Sequence, residues 1–134
     1  ALCLEGSLKL KEISYINSEA YPSGELKHGT ISLIENGTYV IGIITNYDIY
    51  SKSVSNIVEV KSRGAYVILV VSEKLVSEID KNIYDEIIII NEINEVVRPI
   101  LTVIPLQLIA YYTARYKGLD IDKPRNLAKS VTVE

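Results

Sequence analysis

Few side chains in this chain have the chemistry for acid–base work, and they concentrate near its start. Lys9 and Glu12 stand three positions apart, and Glu5, Glu12 and Glu19 recur every seventh residue. A helix over Leu2–Ala20, at about 3.6 residues per turn, puts Leu2, Ile13, Ile16 and Ala20 on one side. Gly6, Ser7, Ser14, Asn17 and Ser18 fall largely on the other. Lys9 then projects among the apolar residues with Glu12 beside it, whereas Lys11 takes the opposite face, where a purely structural helix keeps its charges. One reading is an ordinary ion pair with snorkelling stems. The other is a carboxylate and an ammonium held in a partly dry cleft, able to shuttle protons. The single histidine, His28, sits in Tyr21-Pro22-Ser23-Gly24-Glu25-Leu26-Lys27-His28-Gly29, a stretch that reads as a tight loop. A lone histidine often has a purely structural place, but it is also the side-chain type best matched to proton transfer near neutral pH.

Composition removes several other chemistries. Cys3 is the only cysteine, so there is no intrachain disulfide, and a reducing, cytoplasmic setting is expected. One Cys and one His cannot build a zinc site. Cys3 has no His near it in sequence and reads as a small core residue. No nucleophile elbow, Walker loop or Gly-x-Gly-x-x-Gly fingerprint occurs. With a net charge of -3 and a pI near 5.3, the chain lacks the basic patch a nucleic-acid module needs. At 48% hydrophobic and 23% charged over 134 residues it is a folded domain rather than a disordered segment. The longest apolar stretch, Pro99 to Tyr112, is interrupted by Thr102, Pro105 and Gln107, and falls short of a membrane span. The opening residues, with Glu5, Lys9, Lys11 and Glu12, do not form a signal peptide. A start at Ala1 and the lack of any methionine suggest a processed or excised piece.

The elements that must position these groups read as α/β. Tyr39–Ile44, Ala65–Val71 and Ile87–Ile90 are short Ile/Val runs without polar alternation, the pattern of parallel strands covered on both faces. A helix over Ser53–Arg63 with Gly64 as its C-terminal cap separates the first two. A shorter one is expected from Glu73 to about Asp80, and a long one from Asn94 to Lys117, bent at Pro105 and ended by Gly118. Strand and helix in alternation imply right-handed crossovers. From Leu119 to Glu134 the chain is more polar, yet Leu127, Val131 and Val133 need something to pack against, so this is not a solvated tail.

Three segments are specific when taken together in order: Leu4-Glu5-Gly6-Ser7-Leu8-Lys9-Leu10-Lys11-Glu12-Ile13-Ser14-Tyr15, then Gly24-Glu25-Leu26-Lys27-His28-Gly29, then Lys123-Pro124-Arg125-Asn126-Leu127-Ala128-Lys129-Ser130-Val131-Thr132-Val133-Glu134. They resemble the C-terminal end of the glutamine–fructose-6-phosphate aminotransferase (glucosamine-6-phosphate synthase) family, within the second sugar-isomerase (SIS) subdomain. The first two also occur, more loosely, in other SIS proteins; the last is the specific one.

The resemblance implies a three-layer αβα sandwich around a parallel sheet, with residues 1–118 forming an SIS subdomain incomplete at its N-terminal end and residues 119–134 a tail closing over the active site. It implies conversion of fructose 6-phosphate and glutamine to glucosamine 6-phosphate and glutamate with no metal or organic cofactor. Glu12 would move a proton between C1 and C2 of the sugar, and Lys9 would assist on the C2 side. His28 would open the sugar ring, reaching the site of a neighbouring subunit in a homodimer. Lys129 would form a Schiff base with the open-chain ketose, with the Ala128 backbone beside it. These residue types suit the jobs: isomerisation through an enediol or enamine needs a base at the C1–C2 bond, and an imine-forming lysine must be neutral, which desolvation favours. A tail that excludes water would supply that desolvation, held shut by Leu127 and Val131.

Glutaminase and first SIS subdomains of the same polypeptide would supply ammonia and most of the phosphate binding, so the fragment alone is expected to be inactive. A missing leading strand would expose a sheet edge that favours dimers. Ser51-Lys52-Ser53-Val54-Ser55 is serine-rich but opens a helix, a poor phosphate cradle. The alternatives are another SIS sugar-phosphate isomerase or deglycase, which has no need of the Arg125–Lys129 segment, and a non-catalytic sugar-phosphate sensor, which has no reason to keep Glu12, Lys9, His28 and Lys129 together.

Overall fold

The computed structural model describes residues 1–125. The chain divides into two compact units, one formed by Tyr21–Pro105 and the other by Ala1–Ala20 together with the chain from Leu106 onward.

The Tyr21–Pro105 unit is built on three parallel strands in the order β1 (Tyr39–Ile44), β2 (Tyr66–Ser72) and β3 (Glu86–Ile90). Ile44 pairs with Val71, and Ser72 with Ile90. On central β2, Val67, Leu69, Val70 and Val71 have no exposed surface, although consecutive residues point to opposite faces. Both faces are covered, which is why the run does not alternate with polar residues. Helix α2 (Tyr50–Ser62) links β1 to β2 and buries Ile57 and Val60 in the same core as Val67, Leu69 and Val71. Each such side chain contributes roughly 1.5–3 kcal/mol. The helix lies close because β1 carries Gly42: a Cβ there would stand 2.7 Å from Ile57 Cδ1 and 2.8 Å from Leu69 Cδ2.

The expected helix from Glu73 to Asp80 is instead a 3₁₀ segment, Glu73–Glu78, followed by a second 3₁₀ turn, Lys81–Ile83. Leu75, Ile79 and Ile83 each anchor in the core, and the Asp80 carboxylate accepts from Asn82 N–H to open the second turn. Ile79 and Asp80 both take extended backbone, which separates the two 3₁₀ pieces and leaves no continuous helix. At the amino end of the sheet, the Asp85 carboxylate accepts from Val67 N–H at 2.7 Å and from Lys61 Nζ at 2.5 Å. The Lys61 contact, then the backbone bond, hold this carboxyl below its ordinary pKa.

In the other unit, α1 covers Leu2–Lys9 and passes into a π-helical turn, Leu10–Ser14. The expectation of one helix to Ala20 is therefore corrected. Two contacts and one backbone turn mark the end of the helix at Ser14: its Oγ donates to Leu10 O at 2.6 Å, its carbonyl accepts Lys117 Nζ at 2.6 Å, and Tyr15 turns left-handed at φ 56°. Ser7 Oγ donates to Ser18 O at 2.7 Å and so holds the following segment. Gly6 permits close packing on α3, since a Cβ there would lie 3.1 Å from Leu106.

Helix α3 (Arg98–Tyr116) starts four residues after the expected Asn94, because Asn94 caps a separate turn through Val96 N–H at 3.0 Å. The helix runs through Pro105 and ends in a Schellman motif: Leu119 N–H reaches Ala114 O at 3.0 Å, Gly118 N–H reaches Arg115 O at 3.0 Å, and Gly118 takes φ 68°. Asp120 Oδ1 then accepts from Asp122 N–H and Lys123 N–H at 3.1 and 2.9 Å, and Pro124 is buried.

Candidate active site

Glu12 lies in the π turn and Lys9 at the end of α1, so the change of helix type falls between the two groups. A π turn re-aims the side chains it carries and is frequent at functional sites. Lys9 Nζ donates to Glu12 Oε2 at 2.6 Å and stands 3.8 Å from Glu5 Oε1. The Glu12 side chain is 22% exposed and that of Lys9 33%, so both are sheltered but reachable. The hydrogen bond that Lys9 donates to Glu12 is the largest influence holding its ammonium above its ordinary pKa; partial desolvation opposes it. Lys9 is therefore a fixed positive charge at neutral pH, presenting N–H donors to the carboxylate and to anything polar beside it. The arrangement can remove a proton at Glu12 while Lys9 supports charge on a neighbouring oxygen.

His28 belongs to the other compact unit, where it closes a 3₁₀ segment, Ser23–His28, ahead of Gly29 at φ 146°. Its side chain is exposed. Ala128 and Lys129, with Leu127 and Val131, lie outside the described residues. Ser53 donates to Ile49 O at 3.1 Å inside α2, which uses one member of the serine cluster structurally. Cys3 is half-buried, and burial pushes its thiol up, which weakens it as a nucleophile. Among the described residues no three Cys, His, Asp or Glu groups gather as metal ligands, and no helix is long and apolar enough to cross a membrane.

Two arrangements escaped sequence reasoning. At the carboxyl end of the sheet, Glu92 accepts from Tyr47 Oη and from Ser72 Oγ at 3.0 Å, and pairs with Arg98 at 3.3 Å and Lys74 at 3.6 Å. Arg98 also donates to Thr45 O at 3.0 Å and stacks 4.8 Å from the Tyr47 ring. The Tyr47 hydrogen bond foremost holds the Glu92 carboxyl below its ordinary range. Beside the π turn, Tyr15 Oη accepts from Arg125 N–H at 2.6 Å while the Arg125 guanidinium lies 4.4 Å over the Tyr15 ring. These partners are 45 and 110 residues apart in sequence, so no local pattern could pair them.

A three-stranded parallel sheet flanked by helices makes this an α/β protein. The chain belongs to the SIS domain family, which matches residues 1–115. It is 55% identical over 134 residues to the glutamine–fructose-6-phosphate aminotransferase (isomerizing) of Caldanaerobacter subterraneus subsp. tengcongensis, covering 100% of this chain and 22% of that relative. The chain thus spans about a fifth of the length of the curated relatives it matches. Among solved structures it resembles the C-terminal domain of glucosamine-fructose-6-phosphate aminotransferase from Francisella tularensis, with TM-score 0.85, 38% identity and coverage of 91% of this chain and 34% of that one. A glucosamine-6-phosphate deaminase from Thermotoga maritima aligns with TM-score 0.67 and 25% identity over 97% of this chain and 36% of that one.

Proposed function

We propose that the chain is the C-terminal catalytic part of an isomerising glutamine–fructose-6-phosphate aminotransferase and performs the ketose–aldose step that yields glucosamine 6-phosphate. The observation that carries this reading is the Lys9–Glu12 contact of 2.6 Å in the π turn, in a chain 55% identical throughout to proteins of that name. Glu12 removes the proton from C1 of the open-chain sugar and returns it at C2, and Lys9 supports charge at the C2 side. Lys129 holds the ketose as a Schiff base beside the Ala128 backbone, on a tail formed by residues 119–134. His28, exposed at the end of its 3₁₀ segment, is suited to open the ring in the site of a second copy of the chain. Ammonia production and most phosphate binding belong to other domains of a longer polypeptide, and the whole works in the cytoplasm as a homodimer.

Borohydride trapping of the full-length parent with fructose 6-phosphate, followed by peptide mapping, tests the reading. An adduct on Lys129 that is lost in Lys129→Ala is the expected result. Sugar binding with no modified lysine would overturn it and leave a plain SIS isomerase, a deglycase or a sensor.

A further inference from the structure

We infer that Asn56 and Glu59 of α2 are positioning residues for His28, holding the 3₁₀ segment that presents its imidazole. The inference rests on the reading that His28 opens the sugar ring, and adds to it two residues to which the proposed chemistry gives no role. His28 is exposed, so the place of its imidazole is set by the backbone that carries it. That backbone is the segment Ser23–His28, which packs on α2 within one compact unit.

The segment is pinned at both ends. Asn56 Nδ2 donates to Ser23 Oγ at 3.1 Å, at its start. The Lys27 ammonium donates to the Glu59 carboxylate, at the position just before His28. Between these two contacts Leu26 packs against the core that contains Ile57 and Val60. Asn56 and Glu59 stand three residues apart and so share one face of α2. Past His28 the tie back to the segment is looser, with Thr30 Oγ1 3.5 Å from Leu26 O. The Lys27 and Glu59 side chains are 46% and 35% exposed, and ion pairs at that exposure contribute little to folding. Asn56 is buried, yet its amide reaches a residue 33 positions away rather than its own helix. Loosening either contact widens the volume that the imidazole samples and lowers the fraction of time it stands in a productive place.

The test uses the full-length parent and two substrates. Fructose 6-phosphate closes its ring through the C5 hydroxyl. 5-Deoxyfructose 6-phosphate lacks that hydroxyl and stays open-chain, and its C1 and C2 are unaltered, so wild type should turn it over without ring opening. The readout is the ratio of kcat/KM on the first sugar to that on the second. Asn56→Ala removes a neutral hydrogen bond and should lower the ratio about fivefold. Glu59→Ala removes a half-exposed ion pair and should lower it about threefold. The double variant should lose about fifteenfold if the two contacts act independently. Glu59→Gln keeps an acceptor for Lys27 and should restore most of the ratio. Turnover of the 5-deoxy sugar should stay within about twofold of wild type throughout, whereas a merely structural defect lowers both alike. An unchanged ratio in the double variant would overturn the inference, as would an equal fall on both sugars. If the double variant fails to fold, the single variants decide by the same criteria. Failure of the underlying reading shows instead in His28→Ala, as a ratio equal to that of wild type.

Discussion

Glu12→Gln keeps the side chain's length and removes only its charge and basicity. The carboxylate it replaces lies 2.6 Å from Lys9 Nζ, and Glu5 remains 3.8 Å from the same ammonium. The three side chains are 22% to 39% exposed, so the pair contributes no more than about 0.5 kcal/mol to stability. The thermal midpoint should therefore move by no more than about 3 °C. Catalysis should respond on another scale, because loss of a positioned general base costs about 10²–10⁴ in rate. That corresponds to roughly 3–5 kcal/mol of barrier. Glu12→Asp tests the geometry separately: it withdraws the carboxylate by about 1.5 Å, which breaks the contact with Lys9 and should cost about 10²-fold. The assay is conversion of fructose 6-phosphate by the full-length parent, with kcat and KM separated and a melting curve for each variant. KM should change little if Glu12 acts as the proposed base, on the proton rather than on sugar binding. Turnover within threefold of wild type in Glu12→Gln would refute the reasoning, and so would a loss of several kcal/mol in stability that accounts for the loss of activity.

Three further outcomes are expected. Asp85 and Glu92 have depressed folded pKa values, so their contribution is complete above the unfolded carboxylate range of about 3.9–4.3 and is lost as pH falls through the folded values. Urea midpoints should therefore drop between pH 5 and pH 3, and the drop should shrink in Asp85→Asn; an unchanged pH dependence would remove Asp85 from the account. Gly42→Val places a side chain where even a Cβ meets Ile57 and Leu69 below 3 Å, so equilibrium unfolding should record a loss of about 1–3 kcal/mol or more. In the proposed tail, Leu127→Asp or Val131→Asp should impair turnover while the melting curve stays unchanged, and unaltered kinetics would show that these residues do not hold it shut.

The sheet was legible because parallel strands covered on both faces leave an undiluted apolar run. β1 is Tyr39–Ile44 as read, and β2 and β3 differ from the expected Ala65–Val71 and Ile87–Ile90 by a single residue at their ends. Helix α2 starts at Tyr50, three residues before the expected Ser53, because a preceding 3₁₀ turn capped by Asn46 feeds directly into it. The Lys9–Glu12 contact was legible for a similar reason: its spacing is local, and helical geometry brings such pairs together whichever helix type follows. The end of that helix was not legible. Nothing in Ser14-Tyr15-Ile16 signals a stop, since Ser14 is terminated by Lys117, which lies 103 residues away. The Tyr15–Arg125 and Tyr47–Glu92 contacts share that origin, as tertiary partners chosen by the fold rather than by neighbours in sequence.

The unit that holds Glu12 is assembled from the two ends of the chain, Ala1–Ala20 and the residues from Leu106 onward, whereas Tyr21–Pro105 is continuous. During synthesis the continuous unit has all its own strands as soon as residue 105 has left the ribosome. The residues around Glu12 must wait for Lys117 and Arg125, and closing a loop of that length adds to the delay. Among the described residues, the end of the π turn at Ser14 and Tyr15 is thus the last to gain its partners, and a nascent polypeptide halted before residue 106 would have its sheet without that anchored turn.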